Sequence, residues 1–255
     1  MQLAQRPLLM WTRRAVFNCL WRNGIVDIFK RIMKSLLPYN VFVLNTTSAN
    51  VHGQTISSSI PVKIDLNGKY LFYLHGATVT ELGDNGINQS FPEWGPYEYS
   101  NILDSLQKQG FYVISEIRQK AKDDSIYVNK ISRQIDSLLR GGVKAETILV
   151  IGASAGWNIA VGVSSKLKNG KMKYVMMGGC WPDTYKEYLH IELYGHFLSI
   201  IEATDPHGSC HQIFDKRNYI TTYQEIMLHT GLSHGFICKG RKEWIEPVMK
   251  WFKDR

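Results

Sequence analysis

Four cysteines in 255 residues are too few for a disulfide-dense miniprotein. Charged residues are only 20% and apolar residues 44%, which excludes a chain kept disordered by its own charge. No uninterrupted apolar run of about 18 residues occurs, so a multi-span membrane protein is excluded. No linker, low-complexity tract or internal repeat divides the chain. The length suits one large domain with a sizeable core.

The formal charge is +8, from 30 Lys+Arg against 22 Asp+Glu. Such a balance first suggests an anionic partner. The positions of the charges redirect that reading. Residues 1–34 hold seven Lys or Arg and one Asp, so residues 35–255 hold 23 positives against 21 negatives. The remainder is near neutral, without the clustered Lys/Arg that phosphate binding needs. No nucleic-acid partner is expected.

Two readings fit the first 53 residues. Val16, Phe17, Leu20, Trp21, Ile25, Ile28, Phe29 and Ile32 recur at roughly helical spacing with basic residues between them. That pattern suits an amphipathic helix on a membrane surface, weakened by Gly24. Alternatively, Met33 opens a secretory signal segment. Lys34 is then the basic region, 36–44 an apolar stretch broken by Pro38, and Val51 and Gly53 precede a cleavage before Gln54. The plain alternative is an N-terminal arm on a cytoplasmic protein. Residues 1–53 are expected to stand outside the fold, with 54–255 forming the domain. Export, periplasmic or secreted, is the expected localisation. Membrane contact is expected only through this segment.

Beyond residue 54, strand and helix patterns alternate. Strands are expected at 60–64, 70–74, 111–117, 147–151, 174–177, 197–202 and 225–228. Helices are expected at 96–109, 125–139, 155–167 and 241–252. The 147–151 run is almost wholly apolar, as a strand buried on both faces of a parallel sheet should be. Within 125–139, Ile126, Ile131, Ile135, Leu138 and Leu139 fall near one face. The long Gly-, Asn- and Pro-containing stretch 77–95 is expected to be a loop. The alternation implies an α/β fold with a mostly parallel sheet.

The most informative residues are Gly152-Ala153-Ser154-Ala155-Gly156. They match G-x-S-x-G between an apolar strand and a helix. A serine on such a sharp turn exposes its hydroxyl at the strand end, and small neighbours let strand and helix approach each other. The helix N-terminus and the Ala155 N–H then face any negative charge that develops there.

A hydroxyl nucleophile needs a base, and the base needs an orienting acid. His234 follows the last strand and precedes the closing helix, where the base belongs. Asp205 follows the 197–202 strand, where the acid belongs. Asp183, after Cys180-Trp181-Pro182, is the competing acid. A second oxyanion donor is expected from the turn His75-Gly76-Ala77-Thr78, through the Ala77 or Thr78 N–H. Gly76 permits close backbone approach to a substrate, and His75 shapes the turn.

This set of motifs resembles α/β-hydrolase-fold serine hydrolases over about residues 60–255. The elbow also resembles that of secreted esterases related to polyhydroxybutyrate depolymerases and feruloyl esterases. The resemblance implies a mostly parallel sheet of about eight strands with helices on both faces. It implies hydrolysis of a small-molecule carboxylic ester through an acyl-enzyme, with no cofactor and no metal. The stretch between the sixth and seventh strands is short, so no large cap domain is expected. The site would be open or roofed by the 77–95 segment. A peptidase or thioesterase with the same triad, or an inactive binding protein of the same fold, are the alternatives.

Several weaker features accompany these. His75, Gly76, Trp157 and Trp181 are candidate substrate contacts. Trp94, Trp157 and Trp181 fall near strand ends, where they would line an aromatic pocket or be ordinary core or rim residues. Asp205, His207 and His211 are three metal-ligand types within seven residues, but they lie in a Pro/Gly-containing loop. Cys180 and Cys210 both fall beyond neighbouring strand ends. They would pair in an exported protein, or stay reduced and buried alongside Cys238.

Overall fold

The computed structural model describes residues 56–120, 122–181, 185–215 and 219–254. The readings of the 1–53 leader lie outside the described residues, as does Asp183. No helix among the described residues is long and apolar enough to cross a membrane.

The elements run β1 (Ile56–Ser57), β2 (Lys69–Leu74), α1 (Ala77–Leu82), β3 (Ser90–Phe91), β4 (Gly95–Pro96), α2 (Tyr99–Gln107) and β5 (Phe111–Ile114). They continue with α3 (Asp124–Arg140), β6 (Ile148–Ala153), α4 (Gly156–Leu167), β7 (Lys173–Met177), α5 (Tyr185–Tyr188) and β8 (Gly195–Glu202). The chain closes with α6 (His211–Phe214), β9 (Ile220–Leu228) and α7 (Lys242–Asp254). Seven strands form one sheet in the order β1-β5-β2-β6-β7-β8-β9. Every pairing in it is parallel. The described residues thus hold seven of the roughly eight strands that the resemblance implied.

Alternation along β2 explains the layers. Tyr70, Phe72 and Leu74 face one side, where they pack with Tyr127, Ile131, Ile135 and Leu138 of α3 and Ile159 and Val163 of α4. Leu71 and Tyr73 face the other side, with Ile102, Leu103 and Leu106 of α2 and Trp244, Val248 and Trp251 of α7. A parallel sheet covered on both faces needs strands apolar on both, which is why β6 reads as a continuous apolar run. Fully burying one such aliphatic side chain stabilises the fold by about 1.5–3 kcal/mol.

Helix α3 starts at a cap, because the Asp123 carboxylate accepts the Ser125 N–H at 2.7 Å. Its buried face is Tyr127, Ile131, Ile135 and Leu138; Ile126 is exposed. The apolar stripe thus begins one residue later than the sequence suggested.

Three expectations are corrected. Stretch 60–64 is not a strand, since Pro61 has no N–H for a ladder and Val62 stands in solvent. The edge position is taken by β1. Segment 77–95 is not a plain loop. It folds into α1, a 3-10 turn over Gly83–Gly86 and the β3–β4 hairpin. Pro96 lies in that hairpin rather than opening a helix. The Tyr97 N–H bonds back to the Gln89 carbonyl at 2.8 Å, so α2 begins only at Tyr99.

Candidate active site

Ser154 sits on the turn between β6 and α4, with φ at 49°. That left-handed backbone is strained for a residue with a side chain. Its surroundings hold it there. The Ser154 N–H donates to the Met177 carbonyl at 2.8 Å, and its carbonyl accepts from the Trp157 N–H at 2.9 Å. Glycine at 152 is required by space: a Cβ there would stand 2.8 Å from the Gly156 carbonyl oxygen. The small residues of the motif therefore act through close strand–helix packing.

The fold brings His234 and Asp205 to this serine. His234 Nε2 lies 3.0 Å from Ser154 Oγ, and His234 Nδ1 lies 2.9 Å from Asp205 Oδ2. The Asp205 side chain is nearly inaccessible, while that of His234 is 18% exposed, so the imidazole meets solvent and the carboxylate does not. Burial works to raise the Asp205 carboxyl. Hydrogen bonds from His234 and His207 outweigh it and hold the group below the ordinary carboxylate range. The group paired with His234 is Asp205, one of the two acids weighed from sequence.

Behind this line stands a second carboxylate. Glu202 ends β8 and is 2% exposed. Its oxygens accept from the N–H and hydroxyl of Thr230, the N–H of Gly231 and the hydroxyl of Thr204. Thr204 Oγ1 in turn accepts the Ser233 N–H at 3.0 Å. Ser233 is strained at φ 49° immediately before His234. Glu202 thus ties the loop bearing Asp205 to the loop bearing His234. Burial works to raise the Glu202 carboxyl, and these donors leave it below its ordinary range.

The turn after β2 runs beside the serine. A Cβ on Gly76 would stand 3.2 Å from Ser154 Cβ. Ala77 and Thr78 are the first two residues of α1, whose leading N–H groups have no partner within the helix. Ala155, immediately after the same serine, is the N-cap of α4.

Two proposed substrate contacts are corrected. Trp157 is wholly buried, its ring 4.5 Å from Tyr188 and 6.0 Å from Phe214. It belongs to the core because it lies one residue into α4 on the sheet-facing side. His75 is also wholly buried. Its Nε2 accepts the Arg118 N–H at 3.1 Å, its Nδ1 faces the Gly76 carbonyl at 2.8 Å, and the Arg118 guanidinium binds its carbonyl. Burial, with Arg118 alongside, pushes this imidazole down to about 3, so it is neutral and shapes the turn. Trp94 and Trp181 stay at the surface of the site. The Trp94 ring is 6.2 Å from His234, and Trp181 is 44% exposed and edge-on to His207 at 3.6 Å.

Sequence reasoning missed His207 as a neighbour of the acid and Glu202 as the loop tie. The Asp-x-His spacing at 205–207 is the signal for the first. Asp205, His207 and His234 offer ligand-type atoms within 4.8 Å of one another. Each carboxylate oxygen already accepts an imidazole Nδ1–H, so the cluster is held by hydrogen bonds. His211 instead lies edge-on to Tyr223, their ring centroids 5.3 Å apart. Cys180 and Cys210 form a disulfide, with Cα atoms 5.2 Å apart, and Cys238 is free and buried.

Strand order, helices on both faces and a strained serine after the central strand define the α/β-hydrolase fold, and the chain has it. Solved structures with similar folds include an arylesterase, 16% identical over 76% of this chain and 78% of that one, with a TM-score of 0.48. A sugar hydrolase from Lactococcus lactis is 10% identical over 75% and 91%, at 0.46. A thermophilic carboxylesterase cloned from a metagenomic library is 13% identical over 74% and 78%, at 0.43. No family model and no curated protein matches the sequence.

Proposed function

We propose that this protein is a serine hydrolase that cleaves a carboxylic ester through an acyl-enzyme. The observation that carries the reading is the unbroken line Ser154–His234–Asp205, with contacts of 3.0 and 2.9 Å. Asp205 holds the proton on His234 Nδ1, leaving Nε2 as the base. His234 Nε2 takes the Ser154 proton as Oγ attacks the ester carbonyl. The Ala155 N–H and that of Ala77 or Thr78 stabilise the oxyanion. Collapse expels the alcohol oxygen, which takes the proton from His234. Water then attacks the acyl-enzyme with His234 again as base, releasing the acid and Ser154.

Trp94 and Trp181 flank the site and suit an aryl or sugar group on the ester. The Cys180–Cys210 bridge supports export to an oxidising compartment.

Labelling with a fluorophosphonate probe and turnover of short-chain nitrophenyl esters test the reading. Ser154→Ala should abolish both. Retained turnover in that variant would sink the assignment.

A further inference from the structure

The Asp205 carboxylate is shared. Oδ2 faces His234, while Oδ1 accepts the His207 Nδ1–H at 2.5 Å and the His207 backbone N–H at 3.1 Å. A tight turn makes this possible: the Gly208 N–H bonds back to the Asp205 carbonyl at 3.4 Å, with Gly208 at φ 67°. The His207 ring is 4.4 Å from that of His234 and lies under Trp181. We propose that His207 is a second imidazole on the acid of the triad, a positioning residue that holds the Asp205 carboxylate in register and takes up part of its charge. This rests on the hydrolase reading above.

Two observations argue for a function of the donor rather than of the ring. The His207 Nε2 is buried with no hydrogen-bond partner. A buried unpaired acceptor is unfavourable, and a phenyl ring would pack under Trp181 without it. The bond to Asp205 is what a phenyl ring cannot supply. Because a carboxylate only accepts, His207 carries its proton on Nδ1.

The consequence has a definite sign. A carboxylate shared between two donors stabilises the imidazolium of His234 less than one that serves His234 alone. The ionisable groups facing Asp205 are His234 and His207. The neighbouring carboxylate, Glu202, is occupied by its own donors from Thr204, Thr230 and Gly231. Removing the His207 donor therefore moves the acid limb of the kcat/KM profile to higher pH. Simple loosening of the loop weakens the Asp205–His234 bond and moves that limb the other way, or not at all.

The test compares the full-length wild type with His207→Phe and His207→Asn on a nitrophenyl ester between pH 4 and 9. His207→Phe should lower kcat about tenfold, leave KM unchanged and raise the acid limb by about half a pH unit. His207→Asn places an amide N–H where Nδ1–H stands and should restore both. An acid limb in His207→Phe that stays or falls overturns the proposal. So does a His207→Asn variant as impaired as His207→Phe. A wild type that neither turns over ester nor takes the fluorophosphonate label overturns the hydrolase reading itself, and this inference with it. If His207→Phe fails to fold, nitrogen NMR of the wild-type imidazole decides: a protonated Nδ1 with a bare Nε2 supports the proposal, and the opposite tautomer overturns it.

Discussion

Gly156 lies so close to Leu74 that a Cβ on it would stand 2.0 Å from the Leu74 carbonyl oxygen. The first turn of α4 therefore rests directly on the end of β2, and Ser154 sits on the turn that leads into that helix. Gly156→Ala must push strand and helix apart. It should destabilise the fold by about 1–3 kcal/mol or more, read from the urea midpoint. It should also slow fluorophosphonate labelling, since Ser154 and the turn after β2 separate. Labelling at the wild-type rate would show that the contact does not hold the serine.

His75 predicts a pH dependence of stability. Burial lowers its folded-state value from 6.5 to about 3. Below pH 6.5 the unfolded chain binds a proton that the folded one does not, so stability falls as pH drops through this window and rises as pH rises. The full effect between pH 6.5 and 3 is on the order of several kcal/mol. His75→Gln should flatten the dependence of the unfolding free energy on pH over this range. An equally steep dependence in the variant would count against the assignment.

The disulfide closes a loop of thirty residues that contains β8 and Asp205. Loop-closure entropy gives it about 3–4 kcal/mol of stability. The double variant Cys180→Ser/Cys210→Ser should melt at lower temperature and lose activity, because Cys210 anchors the far end of the Asp205–His207 turn. Alkylation of the denatured, unreduced protein should spare Cys180 and Cys210 and modify Cys238. Modification of both members of the pair would exclude the bridge.

Glu202→Gln keeps shape but turns one acceptor oxygen into an N–H₂ that faces donors. The mismatch should cost about 1–3 kcal/mol in stability and lower kcat more than it raises KM, since the base loop shifts against the acid loop. Thr204→Val should share the kcat effect through the lost Ser233 contact, and Thr204→Ser should not. Wild-type kcat in both Glu202→Gln and Thr204→Val would separate these groups from catalysis.

Much of the architecture was legible locally. The apolar run of β6 and the small residues of 152–156 are signals within a few residues of what they specify. The errors have local causes too. Short amphipathic pieces such as α1 carry too few turns for a period to show, and a hairpin of two-residue strands leaves almost no alternation to read. Trp157 and His75 read as site residues because each adjoins a motif. Their burial depends on which way the helix and the strand end face, and sequence distance does not report that.

The sequence by itself determined the strand–helix alternation and the order of serine, acid and histidine along the chain. These follow from side-chain periodicity and from the small residues that a sharp turn demands. Only the tertiary structure decided that Asp205 faces His234, that His207 shares the same carboxylate, that Glu202 binds the two loops together and that Cys180 meets Cys210. The physical reason is distance. His234 lies 29 residues from Asp205 and 80 from Ser154 along the chain, and hydrogen bonds of about 3 Å between them exist only once the parallel sheet has aligned its strand ends.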